Sequence, residues 1–210
     1  MTHSLSDYDY GNAAPSHTAS YIWPVLFDLL ESEAPSGSAV FDLGCGNGAF
    51  AAALDERGYD VTGVDPSEEG IEQGQRAHPN PDLHVGSTND DLADRFGRFP
   101  VVVSLEVIEH VYDPYHFADS VYDLLPRGGV ALLSTPYHGY LKNLAMALLG
   151  KIGTIHYSPL WRHGHIKIWS PSTLRELLEE TGFRNVRFQR VGRIPPLAKS
   201  MIAIAEKPDQ

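Results

Sequence analysis

Val40-Phe41-Asp42-Leu43-Gly44-Cys45-Gly46-Asn47-Gly48 carries three glycines at i, i+2 and i+4, between the apolar run Ala39–Leu43 and the helix-forming stretch Ala49–Arg57. Glycine lets a chain turn sharply and lets a ligand lie against bare main chain. The start of the helix that follows offers unsatisfied N–H groups. Asp65 stands at the end of a second apolar run, Tyr59–Val64, seventeen residues past Gly48. A carboxylate at that place can accept both hydroxyls of a ribose. Glycine loop and acid together make the layout of an adenosine-cofactor site at the switch point of an α/β sheet.

The spacing narrows the choice of cofactor. The dinucleotide fingerprint is G-x-G-x-x-G, with a diphosphate on the helix N-terminus. Here the third glycine comes one residue early, and Asp42 sits just before the loop. A carboxylate repels a diphosphate and attracts an ammonium group. S-adenosylmethionine has the ammonium and no phosphate, so it is the expected cofactor; a nicotinamide oxidoreductase is the disfavoured rival.

Outward from this loop, strands and helices alternate. A helical stripe at i, i+3, i+4, i+7, i+8 covers Tyr21–Glu31, and Ser67 caps a helix to about Ala77. Leu83–Val85, Pro100–Leu105 and Val130–Ser134 read as the third, fourth and fifth strands. Asp113-Pro114 and Ser170-Pro171 each combine an N-cap with proline at the first helical position. Val186–Val191 and Met201–Ala205 are closing strands. The pattern predicts an α/β fold with an open, mainly parallel sheet and helices on both faces. One segment breaks it: residues 137–169 are too long for a plain connection and read as a lid insertion after the fifth strand. Residues 21–210 are expected to form one domain, preceded by a flexible arm over 1–20.

The composition sets outer limits. With 27 Asp and Glu against 16 Lys and Arg, the net charge of −11 weighs against nucleic acid and towards a small acceptor. The single cysteine, Cys45, rules out an internal disulfide framework and any multi-cysteine metal site. The first twenty residues show neither the basic start nor the apolar stretch of a secretory signal, and no run is long enough for a membrane span. A soluble, cytoplasmic protein is expected. Ten histidines, six of them between residues 110 and 165, direct attention to an acid–base or metal site.

D-L-G-C-G-N-G followed by V-T-G-V-D resembles motif I and its acidic successor in class I S-adenosylmethionine-dependent methyltransferases, and L-P-R-G-G-V-A-L-L-S-T-P resembles that family's fifth-strand segment. The resemblance implies a Rossmann-like seven-stranded sheet and methyl transfer. It places Gly44, Cys45, Gly46 and Gly48 along the methionine and ribose, with Asp42 near the ammonium. It places Asp65 on the ribose hydroxyls and Pro66 or Ser67 on the adenine. Ser87-Thr88-Asn89 would flank the adenine's amino edge, where many members carry an acid. Leu105 and Glu106 would meet the cofactor at the end of the fourth strand.

Glu106-Val107-Ile108-Glu109-His110 follows the fourth strand. As one helical turn it would put Glu106, Glu109 and His110 on a single face. Two carboxylates and an imidazole there can bind a divalent cation such as Mg²⁺, Mn²⁺ or Zn²⁺. E-V-I-E-H with the later H-G-H-x-K-x-W resembles the 3-demethylubiquinone O-methyltransferase group. It also resembles the small-RNA 3′-end 2′-O-methyltransferases, which hold a metal on the acceptor hydroxyls. On that second pattern the ligands would be Glu106, Glu109, His110 and His165, with His163 as a substitute. Without a metal, His110 or a lid histidine such as His165 would serve as general base on a substrate hydroxyl.

The expected activity is O-methylation of a small phenolic, quinol or lipid-like acceptor. The alternatives are metal-assisted RNA 2′-O-methylation and a cofactor-binding regulator without turnover. Leu141, Leu144, Ala145, Leu148 and Leu149 repeat the helical stripe, so residues 141–151 could cover the site or touch a membrane surface. Arg184, Arg187, Arg190 and Arg193 recur every third residue and would alternate sides of a strand, reading as solvated flanks of an edge.

Overall fold

The computed structural model describes residues 12–151 and 164–209. The chain enters through α1 (Ala19–Glu33), then alternates β1 (Ala39–Leu43), α2 (Ala49–Asp55), β2 (Asp60–Asp65), α3 (Glu68–Ala77), β3 (Asp82–Val85), α4 (Leu92–Phe96) and β4 (Val101–Leu105). It continues through α5 (Pro114–Leu124), β5 (Val130–Pro136), α6 (Tyr140–Leu148), α7 (Pro171–Thr181), β6 (Arg184–Val191), a 3₁₀ turn at Pro195–Leu197 and β7 (Ser200–Glu206). The seven strands lie in the order β3-β2-β1-β4-β5-β7-β6. All neighbours are parallel except β7, which runs antiparallel between β5 and β6. This is the mainly parallel seven-stranded sheet expected.

Period-two alternation builds two cores from one sheet. Phe41, Val102, Ala131, Leu133 and Ala203 face the side covered by α5 and α7. Val40, Val101, Val103, Leu132 and Ile202 face the side covered by α1, α2 and α3. The strand order reverses between β1 and β4, so the loops leaving these two strands open a crevice at the carboxyl edge of the sheet.

The capping signals hold. Asp113 accepts from the N–H groups of Tyr115 and His116, and Ser170 forms a reciprocal capping box with Thr173. Other boundaries move. The arm does not extend to residue 20: α1 starts at Ala19, and Asn47 takes hold of the chain at Asn12 and Ala14. The helix expected to reach Arg57 ends at Asp55 in a turn that leads to Gly58 at φ +84°. The short α4 and the 3₁₀ turn carry too few apolar positions for a periodic signal. The segment after β5 begins with α6, as its apolar stripe implies, yet Leu141, Leu144, Leu148 and Leu149 are exposed and Met146 is the buried residue of that helix. β6 is the outer strand, with Arg184, Arg187 and Arg190 exposed along it, as a solvated edge requires.

Ser170→Ala removes the N-cap that fixes the entry to α7. A loss of about 1 kcal/mol is expected, read as a fall in Tm of about 2–4 °C for a domain of this size.

Candidate active site

The glycine loop is held from both sides. The N–H groups of Gly44 and Cys45 both donate to the Val64 carbonyl at 2.8 and 3.0 Å, drawing the loop over the end of β2. Gly44 and Gly48 have φ of +83° and +72°. A Cβ on Gly44 would stand 2.5 Å from Val107 Cγ2, and one on Gly48 would stand 2.5 Å from Leu83 Cδ1. Side chains are excluded at these positions by backbone strain and by the neighbouring chain itself. Cys45 is buried, and burial pushes its thiol well up.

Asp65 is buried and braces the loop: Oδ2 accepts from the Gly46 N–H and Oδ1 from the Ser67 N–H, each at 2.9 Å. Ser67 in turn caps α3 by accepting from the Gly70 N–H, while Pro66 is exposed. Asp42 is 1% exposed, and its Oδ2 has no hydrogen-bond partner among the described residues. Burial, and then the charge of Asp65, pushes its carboxyl up to about 7. A buried acid with an unmet oxygen beside a glycine cradle suits a cationic ligand group.

Ser87-Thr88-Asn89 form the turn after β3, beside Asp65, whose carbonyl accepts from the Gly86 N–H. Asp90, one residue later, braces this turn: its Oδ2 accepts from the Ser87 N–H at 2.8 Å. Asp90 carried no role in the sequence pattern above, although an acid three residues after a serine is the signature of a capping box.

Beyond β4 the chain does not form the helical turn expected of Glu106–His110. Glu106 takes a left-handed φ of +57°, and its N–H donates to both the carbonyl and the hydroxyl of Ser134. Its carboxyl is thereby carried towards β5 and β7, accepting from Ser134 Oγ at 2.9 Å and Ser200 Oγ at 3.3 Å. Burial pushes it to about 7. Tyr21 of α1 stands beside Ser200 and Glu106, and its partial burial raises the phenol's pKa. Neither Ser200 nor Tyr21 carried any sequence signal, because both reach the site from elements distant in the chain.

Glu109 and His110 turn the other way. Glu109 is 1% exposed and accepts from Thr135 Oγ1 at 3.1 Å. Burial, and then the charge of Glu106, pushes its carboxyl well above the usual carboxylate range. Its carbonyl accepts from the N–H groups of Ile166 and Lys167, and Trp169 Nε1 donates to the Ile108 carbonyl. This docking brings His165 edge-on to His110, ring centroids 5.0 Å apart. One ligand-type atom from each of Glu109, His110 and His165 falls within 4.8 Å of the others. Glu106 is not in this group, since its backbone conformation commits its carboxyl to Ser134 and Ser200. The four-ligand set expected from the sequence therefore becomes three among the described residues; His163 lies outside them.

Asp42 also yields a stability prediction. Its folded pKa of about 7 stands above the unfolded value of ~3.9. Between these values the folded chain keeps a proton that the unfolded chain has released. Stability from this group is therefore fully present at acid pH and declines as pH rises towards 7. Asp42→Asn abolishes that decline. Without cofactor, the variant's Tm relative to the parent should be more favourable at pH 8 than at pH 5; a difference independent of pH would refute it.

Comparison with known proteins bears on the family and the fold. The family profile described as a methyltransferase domain matches residues 17–187. The ubiquinone biosynthesis O-methyltransferase of Ruegeria pomeroyi is 31% identical over 161 residues, covering 75% of this chain and 64% of that relative. The protein of the same name from Caulobacter sp. strain K31 is 32% identical over 146 residues, covering 68% and 58%. The matched region thus spans less than two thirds of these relatives. In structure, the chain is similar to magnesium protoporphyrin IX methyltransferase from Synechocystis PCC 6803 with bound SAH, at TM-score 0.66 and 22% identity over 87% of this chain and 80% of that one. It is equally similar in fold to an S-adenosylmethionine-dependent methyltransferase from Methanosarcina mazei, at TM-score 0.66 and 18% identity over 87% and 98%. With a matching profile over well more than half its length, the chain belongs to the methyltransferase-domain family.

Proposed function

We propose that the chain is an S-adenosylmethionine-dependent methyltransferase acting on the hydroxyl of a small phenolic, quinol or lipid-like acceptor. The observation that carries this reading is the contact between Gly44 and Val107: the cofactor cradle and the Glu106–His110 turn share one wall. When bound, S-adenosylmethionine supplies an electrophilic methyl group on a sulfonium. Gly44, Cys45 and Gly46 would present main chain to it, Asp42 a countercharge to its ammonium, and Asp65 an acceptor for ribose hydroxyls. Leu105 and Glu106 at the end of β4, and the Ser87–Asn89 turn, would border it.

The protein's part in the reaction is alignment, exclusion of water and removal of the acceptor's proton. An imidazole accepts a proton near neutral pH. His110 Nε2 stands 3.9 Å from Glu109 Oε1, so a proton arriving on His110 is held beside that carboxyl. His165, whose ring centroid lies 5.0 Å from that of His110, would share the role. Tyr140, Leu141, Leu144 and Leu148 of α6, exposed on the insertion that follows β5, favour an acceptor with an apolar body, as does the name of the curated relatives. The same face supports peripheral contact with a membrane through residues 141–151. No helix among the described residues is long and apolar enough to cross one.

A second reading rests on the Glu109, His110 and His165 group: a divalent cation held there would bind and acidify the acceptor hydroxyl. Its test needs no turnover. Zn²⁺ added to chelator-treated protein should give a calorimetric binding signal that His165→Ala abolishes, and equal signals from both proteins would exclude the site.

The main reading is tested by transfer of labelled methyl from S-adenosylmethionine to a catechol, with an RNA oligonucleotide assayed in parallel. Label is expected on the catechol, and His110→Ala should lower kcat by about 10²–10⁴-fold while leaving S-adenosylhomocysteine affinity unchanged. Label on RNA alone would overturn the proposed acceptor class. Tight S-adenosylhomocysteine binding with no transfer to any acceptor would mark a regulator.

A further inference from the structure

Asn47, between two left-handed glycines, has a side chain whose work is not local. Its Nδ2 donates to the carbonyls of Asn12 at 2.9 Å and Ala14 at 3.0 Å, more than thirty residues upstream. Its Oδ1 accepts from the Ala49 N–H at 3.3 Å at the start of α2. The upstream piece is shaped for the contact: Asn12 Oδ1 accepts from the Ala14 N–H, and the Ser16 carbonyl accepts from Ala19 at the start of α1. Residues 12–18 therefore run from the glycine loop into α1 as one connected path. From the other side, α3 lies so close that a Cβ on Gly74 would stand 2.8 Å from the Asn47 carbonyl. Asn47 is fixed in place and buried, and an amide with two N–H groups is the side chain able to hold two carbonyls at once.

We propose that residues 12–14, latched by Asn47, form a wall of the cofactor site and hold the bound cofactor in place. Asn47 and this strap are then positioning elements for S-adenosylmethionine, an inference that rests on the cofactor reading above. The family profile begins at residue 17, so the strap is built from residues upstream of the shared domain. The latch sits on the same loop whose main chain faces the ligand. Strap and cofactor therefore stabilise one another: a ligand against the loop is enclosed by the strap, and a ligated loop keeps the strap down.

Asn47→Asp isolates the latch. The carboxylate keeps the Ala49 cap, which suits a helix N-terminus, and loses both donors to Asn12 and Ala14. Calorimetry with S-adenosylhomocysteine should show affinity reduced about tenfold, with Tm close to the parent's. Deleting residues 2–14 should give a similar loss, and adding Asn47→Asp to the deleted chain should then cost nothing more. In the parent, S-adenosylhomocysteine should slow proteolysis within the arm, and this protection should vanish in Asn47→Asp. Parent-like affinity in either single variant would overturn the proposal. So would an Asn47→Asp effect that survives undiminished in the deleted chain, since it would then act through charge alone. A parent protein that fails to bind S-adenosylhomocysteine would overturn the cofactor reading itself, and the strap with it.

Discussion

The bare Cα of Gly44 against the methyl groups of Val107 is the contact on which the site depends. It joins the loop after β1 to the turn after β4, the two connections that part company at the sheet's switch point. Any side chain on Gly44 would force them apart. The left-handed φ that glycine accepts there also aims the Gly44 and Cys45 N–H groups at the Val64 carbonyl, which fixes the loop over β2. One missing Cβ thus sets the distance between the glycine loop and the Glu106–His110 turn.

Much of this was readable in the chain. The glycine loop, Asp65 at the end of β2 and the caps at Asp113 and Ser170 are local signals, in which a few adjacent residues state their own backbone geometry. The burial of Asp42 followed from its place in an apolar strand. What could not be read was assembled across distance. Glu106, Glu109 and His110 looked like one face of a helix because spacing was the only information available. The left-handed backbone at Glu106 goes with the two hydrogen bonds its N–H donates to Ser134, a residue of the next strand. Tyr21, Ser200 and Thr135 enter the site from α1, β7 and β5, and none is marked by a motif. His165 was anticipated because two imidazoles flank a glycine, but its docking rests on main-chain bonds to the Glu109 carbonyl that no side-chain pattern reports.

Three carboxyls lie within a small part of the molecule, Asp42 and Glu109 buried and Glu106 half-buried, and loss of solvent raises the pKa of each. Groups of this kind lower stability when ionised, and a fold tolerates them when function needs charge or protons at that place. Their bracing differs in degree. Both oxygens of Glu106 accept from serine hydroxyls, whereas Glu109 accepts from Thr135 through one oxygen and leaves Oε1 unmet, as Asp42 leaves Oδ2.

Trp169 has a consequence of another kind. Its indole is buried in the core beside α5 and α7, and its N–H rests on the Ile108 carbonyl, one peptide from Glu109. Tryptophan emission responds to the polarity and hydrogen bonding around the ring. The protein therefore carries an intrinsic optical reporter hydrogen-bonded to the backbone of the turn after β4. With the other two tryptophans replaced, a movement of that turn relative to Trp169 would register in the ring's emission, with no label attached.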